Sequence, residues 1–230
     1  MRLLNKSTMK TLIIARHGAF DHSDPQIADV DHPLNHHGHH QASETAGHFA
    51  DLSIQPDLLV SSSAKRTIET AEIYAKKLGI SSESIRIEEN IFEAERAEIL
   101  RVVQSFDDAA QTVILFGHHP GVTKLLHHLV DGGVEKMPLG SFSVLELPIE
   151  SWRMVSFKKG ALLNYSQPRE KELHQGWWWR FTFWRRQRMQ KVELFVVFLI
   201  GLLLILGVIA LIVSSSTDSA GMPQQGSMGR

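Results

Sequence analysis

One stretch constrains the fold more than any other. Thr11-Leu12-Ile13-Ile14-Ala15 is a short apolar run of strand-like residues, and it ends abruptly in Arg16-His17-Gly18. In an open α/β sheet, reactive groups sit at the carboxyl ends of strands, so chemistry is expected just after Ala15. Arg16 offers a planar fork of donors that matches a phosphoryl group, and His17 offers a ring nitrogen that can attack phosphorus when neutral. Gly18 lets the backbone turn away and leaves room for a ligand. Three residues recur by chance in many chains, and a buried, hydrogen-bonded histidine is the plainer account of His17, so the surrounding pattern has to decide.

That pattern is strand followed by helix, repeated. Lys10–Ala15 reads as the first strand and Leu58–Val60 as the second, with Ile85–Glu88, Thr112–Phe116, Ser143–Leu147 and Trp152–Phe157 as further strands. Helices are expected over Gly38–Ala50 with Asn35 as cap, over Ala64–Leu78 with Gly79 as terminator, over Ala94–Phe106, and from Gly121 to about Val130. The stretch up to Asn35 is loop-like, punctuated by Asp21, Asp24, Pro25, Asp31 and Pro33. The alternation predicts a three-layer α/β/α domain with a mostly parallel sheet over residues 1–168.

Charge and hydropathy set the far end of the chain apart. Residues 1–168 carry sixteen Lys/Arg against twenty-one Asp/Glu, a net −5, whereas residues 169–191 carry seven against two, a net +5. The basic part is local, which argues against a nucleic-acid partner for the domain. Leu194–Val213 is an unbroken run of twenty apolar or glycine residues, long enough to cross a hydrocarbon core of about 30 Å. Trp177, Trp178, Trp179, Phe181, Phe183 and Trp184 interleave with Arg180, Arg185, Arg186, Arg188 and Lys191 just before it, as expected where indoles and cations meet lipid headgroups. The expected arrangement is a basic and aromatic juxtamembrane linker over 169–191, a transmembrane helix over 192–213 and a disordered polar tail over 214–230. Residues 177–213 would touch lipid, and the positive flank puts the N-terminal domain in the cytoplasm, at a bacterial inner membrane. The absence of cysteine excludes a disulfide framework, a zinc–thiolate site and a thiol nucleophile.

Three further features join Arg16-His17-Gly18. Ser62-Ser63-Ala64-Lys65-Arg66 follows a strand and puts Arg66 in the first turn of a helix, where free N–H groups and the helix dipole favour an anion. Gly117-His118-His119-Pro120 follows another strand, with His118 expected to face inward, and Ile91-Phe92-Glu93-Ala94-Glu95 brings a carboxylate pair. With Pro33-Leu34-Asn35-His36-His37-Gly38 and a closing Leu162 to Arg169, these pieces run in an order and spacing that resembles the histidine phosphatase superfamily, the phosphoglycerate-mutase-like fold, and within it the small phosphohistidine phosphatases of the SixA type.

The resemblance implies that His17 is a nucleophile that becomes phosphorylated, that Arg16, Arg66 and His118 clamp the phosphoryl oxygens, and that Glu93, with Glu95 in reserve, gives the leaving group its proton. It implies no cofactor and no metal, and a substrate that is a phosphorylated protein, such as a histidine phosphotransfer domain, or a small phosphoester. Asn35, Ser63 and Glu69 stand where the family often has threonine, proline and glutamine, and a Glu69 paired with Arg66 would weaken its hold on phosphate. His32, His36, His37, His39 and His40 are the densest histidine run, but without converging geometry they are not assigned to a metal. Two alternatives stay open: a phosphomutase of the same superfamily, and a non-catalytic membrane-tethered adaptor that binds phosphate through Arg16 and Arg66.

Overall fold

Successive side chains of a strand point to opposite faces of its sheet. In Lys10–Arg16 (β1) both sets are buried, Leu12 and Ile14 in one core and Ile13 and Ala15 in another. The computed structural model describes residues 9–21, 25–132 and 134–169. Besides β1 these form strands β2 (Leu58–Ser62), β3 (Arg86–Glu88), β4 (Thr112–Gly117), β5 (Phe142–Leu147) and β6 (Ala161–Ser166), in the sheet order β3-β2-β4-β1-β5-β6. Helices α1 (His36–Asp51) and α2 (Lys65–Leu78) cover one face through Phe49, Ala71 and Tyr74. Helices α3 (Arg96–Gln104) and α4 (Gly121–Leu129) cover the other through Ile99, Val103, Leu125 and Leu126. The three-layer α/β/α expectation therefore holds for the described residues.

The sheet is mixed. β3, β2, β4 and β1 run parallel, while β5 pairs antiparallel with β1 and β6 antiparallel with β5. Parallel pairing of β1 with β4 sets Arg16 opposite Gly117, so the segments after both strands leave the same edge of the sheet. The His17 N–H donates to the Gly117 carbonyl at 3.3 Å, which holds the two strand ends together. Helix starts and stops follow local chemistry. The Asn35 side chain accepts from the Gly38 N–H at 2.9 Å, and α2 stops at Gly79 in a left-handed conformation at φ 71°.

One predicted strand is corrected. Trp152–Phe157 is not a strand; Trp152–Met154 is a single 3₁₀ turn, and the closing strand is β6 at Ala161–Ser166. Trp152 decides this. Its fully buried indole donates to the Ala110 carbonyl at 2.8 Å, and its backbone N–H donates to the Asp108 carboxylate at 2.8 Å. These bonds tie the segment to the loop before β4, and the following backbone N–H groups close a local turn instead of a ladder, Arg153 on Ser151 Oγ, Met154 on the Ser151 carbonyl and Val155 on the Trp152 carbonyl. Lys10 closes the same corner, donating to the carbonyls of Asp108 at 2.6 Å and Ala110 at 3.0 Å. The expected linker, transmembrane helix and tail lie outside the described residues; among the described residues no helix is long and apolar enough to cross a membrane.

Candidate active site

Four segments meet at the carboxyl edge of the sheet. His17 follows β1, Arg66 lies in the first turn of α2, Glu93 lies between β3 and α3, and His118 lies between β4 and α4. Arg16, His17, Arg66, Glu93 and His118 all line one cavity of about 420 Å³, together with Phe20, Asp29 and Phe92. The close approach depends on paired glycines. A Cβ on Gly38 would stand 2.0 Å from the Ala19 carbonyl oxygen, and one on Gly18 would stand 2.5 Å from the Gly38 oxygen. The start of α1 can therefore lie against the turn that follows His17 only when both positions lack a side chain.

The hydrogen bonds fix the state of His17. Its Nδ1 lies 2.8 Å from the Gly18 carbonyl oxygen, which can only accept, so Nδ1 carries the proton and Nε2 keeps a lone pair. Burial, reinforced by the neighbouring His118 and partly opposed by the Gly18 bond, pushes the His17 imidazole well below its ordinary pKa. A neutral ring with a free Nε2 is a nucleophile. The His17 and His118 ring centroids are 5.0 Å apart.

His118 is held from behind. Its Nε2 lies 2.8 Å from Ser62 Oγ and 3.2 Å from Thr67 Oγ1. Ser62 Oγ already accepts from the Ala64 N–H at 3.4 Å; with its own hydroxyl hydrogen donated to Nε2, the ring proton sits on Nδ1. Burial, then the charges of Arg66 and Arg16, lower its pKa to about 3, so at neutral pH it is an uncharged donor.

Arg16 donates from Nη1 to the Met137 carbonyl at 2.7 Å, and burial lowers its pKa to about 10, still cationic at neutral pH. Arg66 donates to the Asp29 backbone carbonyl and, at 2.8 Å, to the Asp29 carboxylate, and its guanidinium stacks 4.3 Å from the Phe20 ring centroid.

Among the described residues three buried side-chain nitrogens are left without a partner: Arg16 Nε, Arg66 Nε and His118 Nδ1. Buried polar groups are nearly always satisfied, and leaving one unpaired costs about 1–3 kcal/mol. That these three residues come from three segments and line one cavity with His17 means the arrangement can accept an anion rich in acceptor oxygens.

Glu93 is exposed in the cavity wall and takes a left-handed φ of 51°, uncommon for a residue with a side chain. Glu95 is engaged elsewhere. Both its oxygens accept from Lys124, at 2.9 and 2.7 Å, and its side chain also caps α3. Glu69 does not pair with Arg66; its carboxylate accepts from the Leu34 N–H at 2.7 Å. Asp29 is the carboxylate that neutralises Arg66, and sequence reasoning missed it, as it missed Phe20. Nothing in a loop thirty-seven residues upstream marks Asp29 as Arg66's partner. Ser62 opens the motif that leads to Arg66 and Thr67 follows it, and their contact with His118 is legible only in three dimensions. Of the histidine run, His32 is buried and the other four lie on α1; among the described residues no three His, Asp or Glu side chains group as a metal site.

The family model of the histidine phosphatase superfamily (branch 1) matches residues 12–99, which contain Arg16, His17, Arg66 and Glu93. The fold is shared with several solved structures. A protein assigned as the phosphohistidine phosphatase SixA from Nakamurella multipartitia is 24% identical with a TM-score of 0.61, over 70% of this chain and 97% of that one. Another so assigned, from Agrobacterium tumefaciens, is 22% identical with a TM-score of 0.59, over 69% and 98%. The protein histidine phosphatase SixA complexed with tungstate is 19% identical with a TM-score of 0.59, over 69% and 97%. No curated protein matches the chain in sequence.

Proposed function

We propose that the chain is a phosphatase of the SixA type, which removes a phosphoryl group from a protein phosphohistidine or a phosphomonoester through a covalent intermediate on His17. The observation that carries this reading is the free Nε2 of His17 in a cavity shared with three residues that each leave a buried nitrogen unpartnered. The family match over residues 12–99 and the fold shared with SixA proteins support it.

In the first step Nε2 forms a bond to phosphorus while the bond from phosphorus to the leaving oxygen or nitrogen breaks. The leaving atom departs with the electron pair and takes a proton, which Glu93 supplies to an alkoxide-like leaving group. Arg16, Arg66 and the Nδ1–H of His118 hold the phosphoryl oxygens as charge spreads over them. In the second step water attacks phosphorus as the bond to Nε2 breaks and its electron pair returns to the ring, releasing dihydrogen phosphate and restoring neutral His17, and Glu93 regains its proton from solvent.

The domain is tethered to a membrane by residues 192–213, with the catalytic face in the cytoplasm. The apolar run and its basic, aromatic flank support this tether. Carbonate-resistant membrane association, lost on truncation after residue 191, is the expected result.

The decisive experiment measures the full chain with p-nitrophenyl phosphate and with a histidine-phosphorylated peptide. Wild type should turn over at least one and trap an acid-labile phosphoryl group, and His17→Ala should lose at least about 10³-fold in rate. A folded wild type that binds phosphate yet turns over neither substrate refutes the reading in favour of the adaptor.

A further inference from the structure

A second, open cavity of about 460 Å³ adjoins the first, and Glu95 stands in the wall of both. It lies between the start of α3 and the exposed side of α4, with Arg96, Lys124, His128 and Phe157 in its walls. Its charges do not cancel. Lys124 is neutralised by both oxygens of Glu95. Arg96 instead donates from Nη1 to His128 Nδ1 at 2.8 Å, which requires that nitrogen to be unprotonated, so the guanidinium rests on a neutral imidazole. Among the described residues no carboxylate lies within ion-pair distance of Arg96. Phe157 is 59% exposed at the rim, with its ring centroid 5.2 Å from that of His128.

The setting gives this cation its meaning. Residues 1–168 carry a net −5, so most of the domain repels an acidic partner. An arginine without an ion-pair partner, beside an exposed aromatic ring in a groove that shares Glu95 with the cavity holding His17, is a local exception. An open groove with an apolar rest suits a protein surface better than a small ligand, which an enclosed pocket would bury.

We propose that this groove is a docking subsite for the carboxylate side chains of an acidic phosphoprotein whose phosphoryl group enters the neighbouring cavity, with Arg96 as its principal cation and Phe157 as its apolar rest. The phosphatase reading supplies what occupies the neighbouring cavity, but the groove itself stands on its own charges. Specificity for acidic surroundings would then come from residues that take no part in the chemistry.

The test separates the two ideas. A fluorescent glutamate-rich peptide and its glutamine counterpart, both unphosphorylated, are titrated against the full chain at low salt. Wild type should bind the glutamate peptide about fivefold more tightly, the scale of one or two exposed ion pairs. Arg96→Glu should erase that preference, and Arg96→Gln should reduce it. The Arg96→Glu change is tolerable locally, because an acidic residue suits the first turn of a helix. In turnover, the histidine-phosphorylated forms of the two peptides should differ in kcat/KM by a similar factor in wild type and not in Arg96→Glu, while p-nitrophenyl phosphate turnover stays unchanged. Equal binding of the two peptides by wild type, or a preference that survives Arg96→Glu, overturns the docking site. Peptide binding as expected without turnover of any substrate leaves the groove standing and refutes the phosphatase.

Discussion

Acid should unfold this domain partly through its candidate site, and His118 sets the amount. The ring is 9% exposed and its pKa falls from 6.5 to about 3 on folding, mainly through burial. A histidine whose pKa is lowered by folding stays neutral in the folded chain while the unfolded chain takes up a proton. Its penalty is absent above pH 6.5 and grows as pH falls toward the folded value. Each pH unit crossed in that window costs about 1.4 kcal/mol, so at pH 4.5 His118 alone should remove about 3 kcal/mol of stability. That is a large share of the roughly 5–15 kcal/mol that holds a domain together. His17 is shifted in the same direction and adds to the loss.

The measurement is urea unfolding of wild type and His118→Gln followed by far-ultraviolet circular dichroism at pH 6.5, 5.5 and 4.5. The buffer must be free of phosphate, because an anion in the cavity would favour the protonated ring and mask the effect. Carboxylates titrate in both proteins and cancel in the difference. His118→Gln should lose about 3 kcal/mol less than wild type over this range, whatever its stability at pH 6.5. Parallel profiles would refute the argument, since they would mean that His118 is as free to protonate in the folded chain as in the unfolded one.

Three other outcomes follow from the same geometry. Because the unliganded site keeps both imidazoles neutral, the proposed activity should show an acid limb of kcat/KM well below pH 6.5, measured with a substrate whose own phosphate does not titrate there. Glu93→Gln should slow a substrate with a poor leaving group, such as an alkyl phosphate, by about 10²-fold or more, and spare p-nitrophenyl phosphate, whose leaving group needs no proton; Glu95→Gln should affect neither. Gly38→Ala should destabilise the domain by about 2–4 kcal/mol, read by thermal unfolding, because its Cβ would meet the Ala19 carbonyl at 2.0 Å and the turn after His17 would have to move.

The legibility of this chain follows the range of the forces involved. Buried strands such as Thr112–Gly117 and caps such as Asn35 and Gly79 are set by residues within a few positions of one another, so periodicity and cap chemistry locate them to within about two residues. Trp152–Phe157 failed for the opposite reason. Its alternation resembles a strand, but Trp152 bonds to a loop some forty residues away, and no local pattern carries that information. At the site, Arg16, His17, Arg66, Glu93 and His118 could be grouped in advance because their types and order are unusual, and they do line one cavity. Their supports could not. Glu69 stands three residues from Arg66 on α2, a spacing that allows the two to pair, yet the Leu34 N–H claims it, and Asp29 arrives from a loop instead.

That loop contact bears on affinity. In the proposed reaction Arg66 holds a phosphoryl group, while Asp29 already accepts from it twice, once through a backbone oxygen and once through a carboxylate 2.8 Å from Nη2. The backbone contact survives substitution, so Asp29→Asn keeps the guanidinium in place and removes only the charge. A phosphate dianion on the other side of the guanidinium would lie roughly 6 Å from that carboxylate; in water their repulsion is about 1 kcal/mol, and Asp29 is 38% exposed, so the high-dielectric figure applies. Asp29→Asn should therefore bind inorganic phosphate about fivefold more tightly by calorimetry, with the difference shrinking as salt is added. Weaker binding by the variant would reverse the conclusion: the carboxylate would then matter more for aiming Arg66 than for opposing the incoming anion, and the loop around Asp29 would be part of the phosphate site rather than a competitor for it.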